Sequence, residues 1–370
     1  MAQTFDHYGW QVSPYSAKTR AYLTYQNLKF NDVEPDALVL YRQIKPGVGR
    51  IIMPTVRLAS GDWIQDSSNI IDHFERTECR ISARPNRPVQ AFASALLEVF
   101  ADEWMPMAAL HYRWHIDENK RFALDEFSRS GLPWLPRFVG RRLIRPMADK
   151  MRSYLPVLGV TETTIPGVEQ TTHDTLAALE AQLSQTPYLL GGRPCLGDFS
   201  LFGPLWAHLY RDPGSRHLFE AYPAVCSWMQ RVKAGTQTEG EFLEDDQVPE
   251  ALSPLFELIL EDQWAWIQTL VDHIDSYCSA NPNAHRVPRA LGTAPFTIRG
   301  LEGQRKLVTA VQWKAQRVRA HYDAAPALCD AWLQTLGKAM GKDMRTMPVI
   351  RNRMAYRDQV LILETEHASV

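Results

Sequence analysis

The chain has 370 residues, of which 45% are apolar and 22% charged, with a formal net charge of −2. That length suffices for two or three domains with buried cores, and the near-neutral charge excludes the broad basic footprint of a general nucleic-acid binder. Five scattered cysteines (Cys79, Cys195, Cys226, Cys278 and Cys329) form no CxxC pair, which argues against a disulfide framework or zinc ribbon and for a reducing compartment.

Residues 4–10, TFDHYGW, read as a short aromatic strand. Ser13 is a good helix N-cap, and Pro14 fits the first helical position, where its missing N–H is not needed. AKTRAYLTYQN continues as a helix, with Ala21, Leu23 and Leu28 among its apolar positions. KFNDVEP reads as a second strand, and MPTVRLAS, a Gly-Asp turn at 61–62 and WIQD as a hairpin. DSSNIIDHFERT follows as a helix capped by Ser67, with Ile70, Ile71 and Phe74 facing inward.

CRISARPNRP (79–88) is a break with proline and arginine, suited to a linker. Beyond it the pattern is almost wholly helical, and from about residue 245 a further helix-rich section runs to the end. The expected division is 1–79, a linker at 80–90, a helical domain at 91–244 and a mostly helical extension at 245–370 packed on the core. The extension's large apolar residues, Trp264, Trp266, Leu270 and Trp313 among them, require cover. The basic clusters VGRRLIRP (139–146) and WKAQRVRAHY (313–322) read as solvated helix faces. The N-terminus lacks a signal-peptide layout and no transmembrane run occurs, so a cytoplasmic protein without membrane or nucleic-acid partners is expected.

SPYSAKTR (13–20) places serines where thiol-disulfide enzymes carry two cysteines at a helix start. With Met53-Pro54, Asp66-Ser67 and LLGGRPCLGDFSLFG (189–203), it resembles the cytosolic glutathione transferases over roughly residues 4–240. The match is to serine-type members, in a bacterial-like branch with a long C-terminal extension. The resemblance implies a thioredoxin-like βαβ-ββα domain followed by an all-helical domain, a cis bond before Pro54, and a homodimer. It departs from the pattern at Cys195-Leu-Gly-Asp198, where the usual Ser/Thr cap is missing and Asp198 is kept.

A free thiol has a pKa of ~8.5 and only its thiolate attacks electrophiles. A hydroxyl hydrogen bond and a helix N-terminus both favour the anion. By the resemblance, Ser13 supplies both to glutathione as co-substrate; the other reading of Ser13 is an N-cap alone. Ser16 caps or faces the site. Met53 and Pro54 would pair with the extended peptide. Ser67 and free N–H groups would take the γ-glutamyl carboxylate, and Asp66 its ammonium. Arg50, with Arg42 as the other choice, would hold the glycyl carboxylate.

A pocket for a small, largely apolar electrophile would draw on Tyr15, Trp104, His111, Tyr112 and Trp114, although aromatics on such a helix also serve as core. His111 and His115 share a helix face near Asp117, but no third ligand completes a metal set, and none is expected. A catalytically quiet glutathione or ligand binder, or a scaffold with the same fold, are the competing readings.

Overall fold

The computed structural model describes residues 4–236, 240–340, 347–357 and 360–364. Strand β1 (Phe5–Tyr8) pairs in parallel with β2 (Phe30–Val33), setting Phe5 beside Phe30. It pairs antiparallel with β3 (Thr55–Arg57), which in turn pairs antiparallel with β4 (Trp63–Gln65). The sheet order is β2-β1-β3-β4. Helix α1 (Pro14–Tyr25) makes the β1–β2 crossover, residues 37–48 form a helical connection, and α2 (Ser67–Thr77) closes the unit. This is a thioredoxin-like fold. The helix after β4 is capped by Asp66, not Ser67: the Asp66 carboxylate accepts from the Ser68 and Asn69 N–H groups, and Ser67 is the first helical residue. A carboxylate reaches two orphan N–H groups more readily than the shorter hydroxyl of a residue already inside the turn.

The helical layer begins with α3 (Pro88–Glu103), almost entirely buried, and α4 (Pro106–His115). It continues with α5 (Asp117–Gly131), α6 (Arg137–Arg152), α7 (Ile165–Leu183), α8 (Leu196–Pro204) and α9 (Pro223–Ala234). Helix α8 lies against both α1 and α3. It approaches so closely that a Cβ on Gly203 would stand 2.6 Å from the Pro14 carbonyl oxygen, so glycine permits the two layers to meet beside Ser13.

The missing hydroxyl at position 195 does not leave α8 uncapped. The Cys195 sulfur accepts from the N3 backbone, while the Asp198 carboxylate takes the Cys195 N–H at 2.9 Å and the Trp228 indole N–H at 2.8 Å. Burial pushes the Asp198 carboxyl up to about 6, against the pull of these donors.

After residue 244 come α10 (Ser253–Leu258), α11 (Ala265–Ala280), α12 (Ala310–Ala324) and α13 (Pro326–Met340). Two hairpins, β5 (Ala290–Ile298) with β6 (Leu301–Val308) and β7 (Met354–Arg357) with β8 (Val360–Leu363), were not expected in this helix-rich stretch. The first turns through Arg299 and Gly300, both at positive φ, the conformation that tight hairpins demand. Helix α12 packs on α3, and Leu255, Phe256, Trp264, Trp266 and Leu270 are buried. No helix among the described residues is long and apolar enough to cross a membrane.

Candidate functional site

Ser13 stands half-buried at the end of the β1–α1 connection, and its Oγ accepts the Ser16 N–H at 3.2 Å. An accepted bond leaves the hydroxyl's own proton available, and no acceptor for it occurs among the described residues. The chain ahead of Ser13 is fixed from the helical layer. Arg113 of α4 donates to the Val12 carbonyl at 3.0 Å, and its other N–H groups reach both oxygens of Asp212 at 2.7 Å. His208 completes this cluster. Its Nδ1 faces the Ala109 carbonyl at 3.0 Å and its Nε2 faces Arg113 at 2.7 Å. Burial, aided by the Arg113 charge, holds it well below the ordinary histidine range, so Nδ1 carries the proton and Nε2 accepts. Ser16 is fully buried and its Oγ has no partner among the described residues.

The Met53–Pro54 bond is cis, and Pro54 leads into β3. Asp66 holds φ +75, ψ 132, a sparsely populated region for a non-glycine residue. That turn presents Ser67, Ser68 and the α2 N-terminus on the side of α3. Arg50 donates from Nε to the Gln65 side chain at 3.1 Å and lies near Tyr356 of β7. Arg42 sits exposed in the helical connection, with no side-chain partner among the described residues that would aim it at the site.

The Asp66 end continues into a buried ionic network. Lys18 of α1 donates to Glu98 at 2.9 Å and Asp102 at 2.8 Å, both on α3. The Ser68 hydroxyl donates to Glu98 at 2.6 Å. From the extension, Lys314 reaches Ser68 Oγ at 2.6 Å, Asp102 at 3.0 Å and Asp66 at 3.4 Å. One turn on, Arg317 forms a two-pronged pair with Asp72 at 2.6 and 2.9 Å. Burial works against the Lys314 charge, but Asp102, Asp66, Glu98 and Glu103 outweigh it and raise its pKa. Burial likewise opposes the Glu98 carboxylate, and Lys18, Arg317 and Lys314 overcome it, leaving the group well below the usual range. Neighbouring Glu103 is pushed up to about 7, chiefly by burial.

The residues expected to wall an electrophile pocket are otherwise engaged. Tyr15 donates its hydroxyl to the Asp102 carbonyl at 2.8 Å, tying α1 to α3, and burial raises its phenol well above 10. Trp104 is 1% exposed under the first extension hairpin, with the Arg305 guanidinium 4.8 Å from its ring and Phe296 edge-on at 6.1 Å. Tyr112 and Trp114 are buried in the helical layer. His111 and His115 face each other through their Nδ1 atoms at 2.7 Å, and His111 Nε2 lies 3.1 Å from Glu169; burial lowers the pKa of both rings. Among the described residues, no three metal-ligating side chains converge, at this pair or elsewhere.

Sequence reasoning passed over Arg113, Glu98, Asp102, Ser68 and Lys314. Lys18 lies inside SPYSAKTR and Arg113 between Tyr112 and Trp114, and their burial was the missing signal. Lys314 belonged to a cluster read as a solvated face, yet it is buried.

The sequence of residues 8–79 matches the family model for the glutathione S-transferase N-terminal domain, and residues 162–231 match that for the C-terminal domain. No curated protein matches the chain significantly. Among solved structures, similarity extends to the β-etherase LigF from Sphingobium sp. strain SYK-6, at 20% identity over 70% of this chain and 99% of that one, with a TM-score of 0.41. FzlA from C. crescentus is similar at 18% identity over 70% and 93%, with a TM-score of 0.42. A glutathione S-transferase from Methylobacterium radiotolerans, in complex with glutathione sulfonate, is similar at 17% identity over 62% and 91%, with a TM-score of 0.40. The two glutathione S-transferase domain models thus match in order on one chain, at residues 8–79 and 162–231.

Proposed function

We propose that the protein is a glutathione-dependent transferase in which Ser13 activates the glutathione thiol for attack on a small, largely apolar electrophile. The observation that carries this reading is the Ser13 hydroxyl, held at the N-cap of α1 with its own proton uncommitted. A hydroxyl donating to sulfur and the positive end of a helix both stabilise the thiolate over the thiol. Arg113 fixes the backbone immediately before it, so the donor is set in place before ligand arrives. In this reading the peptide extends past the Met53 backbone. Its γ-glutamyl carboxylate meets Ser67 and the α2 N-terminus, its ammonium lies toward Asp66, and Arg50 serves the glycyl carboxylate. The thiolate then forms the new carbon–sulfur bond as the electrophile's leaving group departs or its double bond takes up the charge.

The test is an ultraviolet titration of the thiolate in the glutathione complex, with Ser13→Ala beside the parent. Loss of one charge-assisted hydrogen bond is worth about 1.5–3 kcal/mol, so the thiol pKa should rise by about one to two units with affinity changed far less. An unchanged thiol pKa would remove Ser13 from the mechanism.

A second reading, a catalytically quiet glutathione binder or scaffold, is favoured by one observation. Lys314 already engages the Asp66 carboxylate, and extension strands cover Trp104. Stoichiometric glutathione binding by calorimetry, with no turnover across a panel of electrophiles, would select it.

A further inference from the structure

Helix α6 carries six cations, Arg137, Arg141, Arg142, Arg145, Lys150 and Arg152, against one carboxylate, Asp149. All seven are exposed. Its inner face is settled: Gly140 packs against Ser128 of α5, Ala148 is buried, and Ile144 and Met147 lean on the core. The opposite face is not simply polar. Phe138 is 76% exposed, with Leu143 at 59% on the same helix and Trp134 at 50% just before it. Phe138, Arg141, Arg142 and Arg145 stand at i, i+3, i+4 and i+7, so the phenyl ring projects at the N-terminal end of the guanidinium row.

Beside this row lies a cavity of about 430 Å³ lined by Lys120, Arg141, Arg142, Arg145, Arg152 and one carboxylate, Asp149, with Trp114 in its wall. Arg141 pairs with Asp125, but no carboxylate pairs with Lys120, Arg142, Arg145 or Arg152 among the described residues. A concave site in which four unpaired cations outnumber one carboxylate calls for a multivalent anion, and guanidinium forks match phosphate oxygens. The protein's net charge of −2 does not cancel the patch, since screening over about 8 Å leaves the local charge in control.

We infer that α6 and the preceding Trp134 form a peripheral docking face for a membrane surface rich in anionic phospholipid. The arginine-lined cavity receives headgroup phosphates while Phe138, Leu143 and Trp134 enter the headgroup–acyl boundary. Charge complementarity argues for the anionic surface, and exposed aromatics among the arginines favour lipid over a free phosphate, which would leave them in water. The expected lack of a membrane partner rested on the absence of a spanning segment, which does not bear on a surface helix. The face is separate from the glutathione-site candidate, so its occupancy is independent of that reading.

The test is co-sedimentation of the full-length protein with phosphatidylcholine vesicles, with and without phosphatidylserine. Binding to the anionic vesicles alone, weakening as salt is raised, is the expected result. Arg142→Ala and Arg145→Ala should each weaken it about fivefold, from about 1 kcal/mol per basic residue. Phe138→Ser should weaken it about tenfold with no change in thermal melt, because the ring makes little contact with the core. Glutathione binding should match the parent in all three variants. The inference is overturned by equal binding to neutral vesicles, no binding to anionic ones, or variants that bind like the parent. It is equally overturned if soluble glycerophosphoserine binds as tightly as the vesicles, or if a duplex oligonucleotide is retained in their place.

Discussion

At the Ser13 end of the site a neutral hydroxyl and a helix N-terminus stand half-buried, whereas at the Asp66 end Lys18, Lys314 and Arg317 are packed among Asp66, Asp72, Glu98 and Asp102. The Ser13 hydroxyl's own bond spans three positions, whereas the bonds of the second end join residues up to 248 positions apart. A neutral donor can answer whatever charge a bound sulfur carries. The ionic end is already paired within the protein, three cations among four carboxylates, so any ligand ammonium arriving near Asp66 meets a carboxylate that Lys314 shares. One end is therefore responsive and the other preset, and the second takes part of its identity from the extension.

The strongest way to break this contrast is Lys314→Met. Removing one partner from a buried ion network strands the others and typically costs about 3–5 kcal/mol. Denaturant unfolding should show a loss of that order, and parental stability would mean that water or rearrangement already satisfies the carboxylates.

The next effect is a pH dependence at the preset end. Glu103, pushed up to about 7 by burial, binds its proton more tightly folded than unfolded. Its contribution to stability is therefore complete below about 4.5 and is lost as pH rises through about 7. With the side chain only partly sheltered, the effect is on the order of 1–2 kcal/mol. Glu103→Gln should flatten the melting temperature across that window. Glu98, depressed by its cations, acts in the other direction: its contribution is present above the ordinary carboxylate range and fades as pH drops through its lowered folded value.

At the responsive end the stability changes are smaller. Ser13→Ala should cost about 1 kcal/mol as a lost N-cap, well under the Lys314 penalty in the same assay. Ser16→Ala removes a buried hydroxyl that has no partner among the described residues, so a change within about 0.5 kcal/mol, or a slight gain, is expected. A large loss there would give Ser16 a role comparable to that of Ser13.

What the sequence disclosed follows the same division. Ser13, Pro14 and the helix after Asp66 are local patterns with local causes, readable as caps and periodicity, while the cis bond at Met53-Pro54 was implied by the family resemblance. The extension's hairpins were harder to see. APFTIRGLEGQRKLV alternates Ala294, Phe296 and Ile298 inward, but Pro295 and a charged second strand masked the period. The ionic network was not legible because burial of Lys314 depends on α12 lying on α3, and no motif encodes that docking. Trp104 could be read as wall or core from its type alone; the covering hairpin decides between them.

That covering has an optical consequence. The Arg305 guanidinium lies 4.8 Å from the Trp104 ring and 5.6 Å from the Trp266 ring, joining the end of α3 to the extension through two indoles. Both rings are nearly inaccessible to water, at 1% and 3% exposure. While the hairpin is seated their emission belongs to the short-wavelength class of sheltered indoles, and lifting it would move that emission to longer wavelength. The molecule thus carries its own fluorophore pair at the joint between extension and core, and undocking can be followed in real time without a label.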